Sequence, residues 1–384
     1  MKKILIIFGT RPEAIKLAPV IKKLKRERSF KTIVCSTGQH DEMLKQVVDL
    51  FKINIDLNLN LMKPNQDLYE ITSGSIEKLK SVFSRIKPDL LIVQGDTTTA
   101  FTSSISAFYS KVKIAHVEAG LRSNNIYSPF PEEVNRKIIS LLADINFAPT
   151  REAKNNLIAE GIINKKIAVT GNTVIDALLE VKEKLKEKSS CIKIKSSLKN
   201  NGFDDLTEKE FILITVHRRE KFGQKLKNTL MQLKEIAGGN KNYNFIYPVH
   251  LNPNVKKPVQ NILHKVPNFK LLPPLDYLSF IYLMSKCRFI ISDSGGVQEE
   301  CYIFKKPIIV LRDNTEREEA VKAGYAFLAG GGNKNFKKIF YQVDRKLSEG
   351  FDFFQCENPF GDGKSSGRIV KSIKKFLIKI NENK

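Results

Sequence analysis

Three carboxylates and two guanidinium groups are concentrated in the stretch that runs from DLLIVQG to PFPEEVNR. The carboxylates are Asp96, Glu118 and Glu132, and the guanidinium groups are Arg122 and Arg136, the latter four residues after Glu132 on one face of a predicted helix. Clustered carboxylates raise the pKa of at least one of them, which supplies an acid and a base near neutral pH. Cations beside them stabilise a departing anion. These residue types suit a reaction in which protons move and an anion leaves.

A βαβ unit is predicted to bring these groups together. DLLIVQG and KIAHVEAG are short apolar runs typical of buried strands, and the segment between them has helical spacing at Ala100, Ile105 and Phe108. A parallel strand pair requires a right-handed crossover, so Asp96 and Glu118 should emerge side by side from neighbouring strands. Ligands bind at that edge of an open α/β sheet.

Two further cations lie at the first predicted strand-to-helix turn. KILIIFG predicts a strand, and the helix after it has a core-facing side made of Ala14, Leu17, Ala18, Ile21 and Leu24. Arg11 and Lys16 accompany the free N–H groups and positive dipole end of this helix, an arrangement that can hold phosphate or a sugar. A surface turn with solvated charges is the alternative. No G-x-G-x-x-G run occurs, which argues against a tightly bound dinucleotide.

Strands and helices alternate along the chain, which predicts an α/β protein with two Rossmann-like, doubly wound domains. The N-terminal domain is predicted over 1–176, and the charged segment 177–210 is predicted as a linker and hinge. FILITV, NFIYPV, FKLLPPL, FIISD and PIIVLR predict the strands of a C-terminal domain over 211–364. A terminal helix over 365–384 should pack back on the first domain through one apolar face, formed by Ile369, Ile373, Phe376, Leu377 and Ile380.

Three loops follow strands of the second domain. HRRE, at 217–220, supplies either phosphate ligands or an exposed basic turn, and its place after a buried strand favours ligands. His250 in YPVHLNP is equally consistent with a packing role. In SDSGGVQEE, Ser294 and two glycines let the backbone approach a ligand, and the next helix presents its N-terminus to a pyrophosphate. Glu300 can accept hydrogen bonds from ribose hydroxyls.

Composition argues against several classes of protein. The formal charge of +23 invites a nucleic-acid interpretation, but the lysines alternate with glutamates as on solvated helix faces, and no nucleic-acid-binding motif occurs. An anionic small substrate explains the basic character better. The 5 cysteines are odd in number and widely spaced, which argues against disulfides and a zinc site. No apolar run approaches the ~18 residues of a membrane helix, so we expect a soluble, cytoplasmic protein.

The motifs resemble those of one enzyme family. GDTTTAFTSSISAFY, HVEAGLRS and PFPEEVNR are similar to three successive signatures of the non-hydrolysing UDP-N-acetylglucosamine 2-epimerases. The resemblance extends over nearly the whole chain, in the same order, through GTRPEAIKLAPV, TGQH, VTGNTVIDAL, VHRRE, YPVHLNP, DSGGVQEE, LRDNTER and NPFGDG.

This resemblance implies two Rossmann domains that face a cleft, as in GT-B glycosyltransferases, and a UDP-sugar substrate. It implies a catalytic pocket lined by Lys16, Asp96, Glu118, Glu132, Arg136 and His217, with Arg11 beside them. It implies that UDP is held by Ser294, Gly295, Gly296, Glu300 and Arg317. We add to the substrate-binding set Arg122, His250 and Phe280. We expect no cofactor, metal, nucleic acid or membrane partner, and a homodimer that serves cell-surface polysaccharide biosynthesis.

Five positions depart from the family pattern or bear on its regulation. Lys221 follows HRRE where many relatives have Asn, Cys301-Tyr302 replaces Ala-Pro, and Glu318 replaces a proline, all beside the nucleotide motifs. Some relatives bind a second, activating UDP-sugar near TGQH with an Arg, where this chain has Asn65. A regulatory site is therefore predicted only at the two polar residues of that loop, Gln39 and His40.

The predicted reaction inverts C2 of UDP-N-acetylglucosamine. The C2 proton is not acidic and no nicotinamide site is evident, so direct oxidation is unattractive. Expulsion of UDP from C1 acidifies the C2 proton and permits elimination to a glycal, and readdition of UDP with protonation from the other face gives the manno sugar. A hydrolysing epimerase, an epimerase for a UDP-diacetamido sugar and a GT-B glycosyltransferase are the alternatives. A binding module is a further one, if the carboxylates are structural.

Overall fold

Each of the two units into which the chain divides contains one parallel β-sheet. The computed structural model describes residues 1–38, 42–61, 66–203, 209–218, 221–330 and 335–382. Unit 1 comprises Met1–Ala177 and Phe360–Lys384, and unit 2 comprises Leu178–Pro359.

The sheet of unit 1 has, within the described residues, seven parallel strands in the order β3-β2-β1-β4-β5-β6-β7. They are β1 (Lys2–Phe8), β2 (Phe30–Ser36), β3 (Leu57–Asn58), β4 (Leu90–Gln94), β5 (Lys113–Val117), β6 (Ile145–Ala148) and β7 (Ile167–Val169). The chain order reverses between β1 and β4, which is where doubly wound sheets bind ligands. The central strands β1 and β4 are apolar and almost wholly buried because helices cover both faces of the sheet.

The helices of this unit alternate with its strands, as predicted. They are α1 (Arg11–Arg26), α2 (Glu42–Phe51), α3 (Leu68–Ile86), α4 (Thr98–Tyr109), α5 (Glu132–Leu142) and α6 (Arg151–Ala159). The next helix, α7 (Thr173–Lys184), begins in unit 1 and continues past its boundary at Ala177. The face of α1 that the spacing assigned to the core is buried in full, at Ala14, Leu17, Ala18, Ile21 and Leu24.

Unit 2 repeats this architecture with the strand order β10-β9-β8-β11-β12-β13. Its strands are β8 (Phe211–Thr215), β9 (Asn244–Pro248), β10 (Phe269–Leu272), β11 (Ile290–Ser292), β12 (Ile308–Val310) and β13 (Ala326–Leu328). Its helices are α8 (Lys188–Asn200), α9 (Gln224–Gly239), α10 (Pro253–Leu263), α11 (Tyr277–Lys286), α12 (Gly295–Glu300), α13 (Glu318–Lys322) and α14 (Phe336–Ser348). The short strand β13 was not predicted. The order reverses between β8 and β11, the strands that precede HRRE and SDSGG.

The segment 177–210, predicted as a linker, holds most of α7 and the whole of α8. Ile194 and Leu198, four residues apart on α8, are buried, and this helix packs on α11. Ser197 of α8 also donates a 3.1 Å hydrogen bond to Asp276, the N-cap residue of α11. The dense lysines of the segment obscure this narrow apolar stripe in the sequence.

The terminal helix α15 (Ser365–Glu382) packs on α1, as predicted. Ile369, Ile373 and Leu377 are buried, and the side chain of Ile380 lies outside the described residues. The carboxylate of Asp176 accepts the backbone N–H groups at the start of α15, at 3.1 and 2.9 Å. Among the described residues, no helix combines the length and apolarity needed to cross a membrane.

Candidate active site

Glu118 follows β5 directly and is held by two donors. Its Oε2 accepts a 2.5 Å hydrogen bond from Nζ of Lys16 on α1 and a 2.8 Å bond from Nδ2 of Asn172. The backbone of Glu118 has φ +65°, a left-handed conformation that costs a residue with a side chain about 1–3 kcal/mol. Strain of this kind is maintained at functional sites, so Glu118 is a well-positioned candidate for proton transfer.

Asp96 lies two residues beyond β4 and pairs with Arg136 of α5. Nε of Arg136 lies 3.0 Å from Oδ2 of Asp96, and Nη2 contacts the same oxygen. Asn135 donates a 2.9 Å hydrogen bond to the Asp96 carbonyl. Arg136 also contacts Glu133 at 3.1 Å, and Glu132, predicted on the same face, lies half-buried in the first turn of α5. Residues spaced i, i+3 or i, i+4 are neighbours on a helix surface, so the sequence alone does not decide between Glu133 and Glu132 as the partner of Arg136.

A carboxylate that the sequence reasoning missed, Glu13, joins the loops after β1 and β4. It accepts backbone N–H groups of Gly9 and Thr10 at 3.0 and 2.8 Å, and hydroxyls of Thr10 and Thr97 at 2.7 Å each. Burial raises the pKa of Glu13, although these hydrogen bonds oppose the shift. Desolvation is the cause of this rise, and no neighbouring negative charge contributes among the causes of the shift. The T-x-x-E capping-box pattern in GTRPE could have revealed this residue.

His116 on β5 connects the two carboxylate-bearing loops from within the sheet. Its Nε2 lies 2.7 Å from the Gly95 carbonyl, beside Asp96, and its Nδ1 lies 3.3 Å from the Ser140 hydroxyl. A carbonyl can only accept, so the partners assign the proton to Nε2. Complete burial lowers the pKa of His116 to about 4, so the ring is neutral at pH 7 and holds the peptide before Asp96 in place.

Arg122 lies beside Ser140, the partner of His116, and pairs with a carboxylate of α6's C-terminal end. Its Nε and Nη2 donate to the two carboxylate oxygens of Glu160 at 2.9 and 2.6 Å, and its side chain is 1% exposed. Burial would raise the pKa of Glu160, but Arg122 and Lys137 outweigh that effect and lower it. Arg122 is thus engaged in an ion pair with Glu160, and its contact with substrate stays a prediction. Glu160 lies 38 residues away, so local spacing carried no signal for this pairing.

The remaining predicted residues of unit 1 have different placements. Arg11 is the first residue of α1, half-buried, five positions before Lys16. Gln39 and His40, the predicted regulatory residues, lie outside the described residues, as do Asn65 and Arg219.

In unit 2, His217 lies two residues beyond β8. The carboxylate of Asp293, which follows β11, accepts the backbone N–H groups of His217 and Arg218 at 3.0 Å each. The His217 ring stacks on that of His250 at 5.5 Å between centroids, with its side chain 38% exposed. His250 therefore supports His217 from its exposed position after β9. Asp293 was missed, although its place after a strand matches that of Asp96.

Arg317 lies against the start of α12, the helix that follows Ser294. Its Nε donates to Glu299 at 2.9 Å and its Nη1 to Glu316 at 3.3 Å. Burial would raise the pKa of Glu316, but Arg317 and Arg312 hold it well below its ordinary value. A Cβ at Gly295 would lie 2.8 Å from Nη1 of Arg317, so a larger residue would displace the guanidinium group.

Glu300, Gly296 and Phe280 complete the predicted nucleotide set. Glu300 is buried at the end of α12 and accepts a 3.0 Å hydrogen bond from the Tyr277 hydroxyl of α11. A Cβ at Gly296 would meet no heavy atom within 4 Å, which leaves its surface open. Phe280 lies half-buried on α11, three residues after Tyr277.

Comparisons with known proteins agree with one another. The family model described as UDP-N-acetylglucosamine 2-epimerase matches residues 22–374. The chain is 48% identical over 384 residues to the UDP-N-acetylglucosamine 2-epimerase of Campylobacter jejuni, which covers 100% of this chain and 99% of that one. It is 48% identical over 373 residues to the enzyme of Neisseria meningitidis serogroup A, with coverages of 97% and 99%. The crystal structure of the N. meningitidis enzyme bound to UDP-GlcNAc superposes with a TM-score of 0.92 at 47% identity, with coverages of 97% and 100%.

The buried, neutral His116 predicts a loss of stability in acid. Folded His116 binds a proton only near pH 4, whereas the unfolded chain binds it near 6.5, so the free energy of unfolding falls as the pH drops below 6.5. The shift corresponds to about 3 kcal/mol of unfolding free energy lost as the pH falls from 7 to 4. Urea unfolding of wild type and His116→Gln across this range measures it. The variant should show a shallower dependence, and exposed His264→Gln should follow wild type. Equal slopes for all three proteins would contradict the assignment.

Proposed function

The chain belongs to the UDP-N-acetylglucosamine 2-epimerase family, and we propose that it interconverts UDP-N-acetylglucosamine and UDP-N-acetylmannosamine without net hydrolysis. It is an isomerase that acts at C2 of a UDP-sugar. One observation carries the proposal: two neighbouring parallel strands end in cation-paired carboxylates, Glu118 with Lys16 and Asp96 with Arg136.

The chemistry proceeds by elimination and readdition. The C1–O bond breaks with its electron pair leaving on UDP, a base removes the C2 proton, and a C1–C2 double bond forms. UDP then adds back to C1 while C2 receives a proton on the opposite face. Such a path needs two proton-transferring groups on a rigid support and cations that stabilise the departing pyrophosphate.

Unit 1 provides the groups that act on the sugar. Asp96 and Glu118 move the protons, and Glu132 completes the carboxylate set. Lys16 and Arg136 orient the two strand-end carboxylates, and Arg11 adds positive charge at the start of α1. The register of β4 with β5, from Leu90 opposite Lys113 to Gln94 opposite Val117, brings Asp96 and Glu118 to the same edge of the sheet.

Unit 2 provides the groups that hold UDP. Ser294, Gly295 and Gly296 open α12 with their backbone N–H groups, and Arg317 lies beside them. His217, held by Asp293 and stacked on His250, donates to the pyrophosphate.

We also propose a cytoplasmic homodimer that supplies manno-configured UDP-sugar for cell-surface polysaccharides. Phe108 on α4 and Leu141 on α5 are 56% and 69% exposed, and these two helices pack together, which offers an apolar surface to a second copy. Sedimentation equilibrium measures the mass. A single species at the chain mass of 43.6 kDa would contradict the dimer.

The fate of the C2 proton distinguishes this reaction from its alternatives. Incubation with UDP-N-acetylglucosamine in heavy water, with neither nicotinamide nor added metal, should yield UDP-N-acetylmannosamine that carries deuterium at C2, read by proton NMR. Elimination releases the original proton to solvent, and the returning one comes from solvent.

Other products would contradict the proposal in different ways. Free N-acetylmannosamine with UDP would indicate the hydrolysing reaction. Transfer of the sugar to an added acceptor, with protium retained at C2, would indicate a glycosyltransferase. Turnover of a UDP-diacetamido sugar alone would replace the substrate and keep the chemistry.

Glu118→Gln should lower turnover by at least ~100-fold, the scale of one lost general acid or base, because the amide keeps the shape but does not exchange a proton. Steady-state kinetics with UDP-N-acetylglucosamine measure it, and circular dichroism checks the fold. Exposed Glu152 on α6 provides the matched control, and Glu152→Gln should retain wild-type turnover. Wild-type turnover in the Glu118 variant would remove this residue from the mechanism.

A further inference from the structure

Lys221, which follows the HRRE motif, carries a buried ammonium group. The side chain follows the His217 loop after β8, and the residue is 5% exposed. Within the part of the chain that the structure describes, no acceptor lies within hydrogen-bond distance of its Nζ. A buried ammonium that lacks a hydrogen-bonding partner is costly, so its retention calls for an acceptor.

The charges that face Lys221 come from three neighbouring segments. Asp293 and Asp313 favour its charged form, and Arg312 and Lys225 oppose it. Burial is the largest effect and lowers the pKa of Lys221 to about 8. Lys221 is therefore mostly protonated at pH 7 and divided between its two forms at pH 8.

The position of Lys221 indicates which ligand would supply the acceptor. Strands β8, β11 and β12 are parallel neighbours, so the segments that follow them meet at one edge of the unit 2 sheet. Lys221 follows the first, Asp293 and Ser294 the second, and Arg312 the third. The reversal of strand order lies between β8 and β11, which is where such sheets bind ligands.

We propose that Lys221 is an additional nucleotide-binding residue whose ammonium contacts the pyrophosphate of the UDP moiety. The inference rests on the proposed function, since it assigns UDP to this unit. A pyrophosphate oxygen provides the missing acceptor, and its negative charge stabilises the ammonium further. Binding at pH 8 therefore draws a proton from solvent onto the fraction of Lys221 that is neutral beforehand.

Calorimetric titration of UDP into the full-length protein at pH 8 tests this directly. Titrations in buffers of different ionisation enthalpy give the number of protons taken up per UDP bound. Wild type should take up a fraction of a proton that Lys221→Met, a neutral side chain of similar length, does not. The variant should also bind UDP about 10- to 100-fold more weakly, the effect of one charged hydrogen bond.

Two further variants make the test specific. Lys227→Met removes an exposed lysine six residues later and should bind UDP and protons as wild type does. Lys221→Asn introduces a shorter, neutral polar side chain, and it should lose the proton uptake as Lys221→Met does. Circular dichroism checks that each variant is folded.

The outcomes separate this inference from the proposed function. If both Lys221 variants bind UDP with wild-type affinity and wild-type proton uptake, Lys221 is an internal countercharge to Asp293 and Asp313. That result would overturn the inference and leave the epimerase proposal unaffected. Failure of the wild-type protein to bind UDP, or a UDP-sugar, would overturn both.

Discussion

The parallel pairing of β4 with β1 on one side and β5 on the other is the constraint on which the rest of the site depends. Parallel strands deliver their following residues to one sheet edge, so Asp96 and Glu118 meet because their strands are adjacent, and not because they are close in sequence. His116 reinforces this pairing, since its neutral ring bonds across to the Gly95 carbonyl at 2.7 Å. Its burial makes that bond strong and also makes protonation expensive.

Buried charge at both sheet edges is tolerated because nearly every group is matched. Glu13 accepts four hydrogen bonds, and Glu316 is surrounded by arginines that more than offset its desolvation. Asp293 accepts two backbone N–H groups. The energetic consequence is rigidity: removing one partner leaves a buried charge uncompensated, so each loop has little freedom to move. Lys221 departs from this pattern because its buried ammonium group has no hydrogen-bond acceptor among the described residues.

Several features were readable from the sequence because their signal is local. The apolar face of α1 follows from a 3.6-residue period, and the placement of Asp96 and Glu118 follows from apolar runs that end in a carboxylate. Other features were not readable because the partners are distant in sequence or because two neighbouring residues are equally suitable partners. The pairing of Arg122 with Glu160 spans 38 residues, and the contact of Arg136 with Glu133 lies one helical position from the predicted Glu132.

The sequence by itself determined the alternation of strands and helices, the motifs that follow each strand and hence the family, because periodicity and turn residues are properties of short segments. Tertiary structure alone decided which side chains bond to which. Asn172 reaches Glu118 because β7 and its loop fold onto the sheet edge, and Glu13 turns inward to join two loops. Burial, which sets the pKa of His116, arises only when layers from distant parts of the chain exclude water, and no local pattern encodes that exclusion.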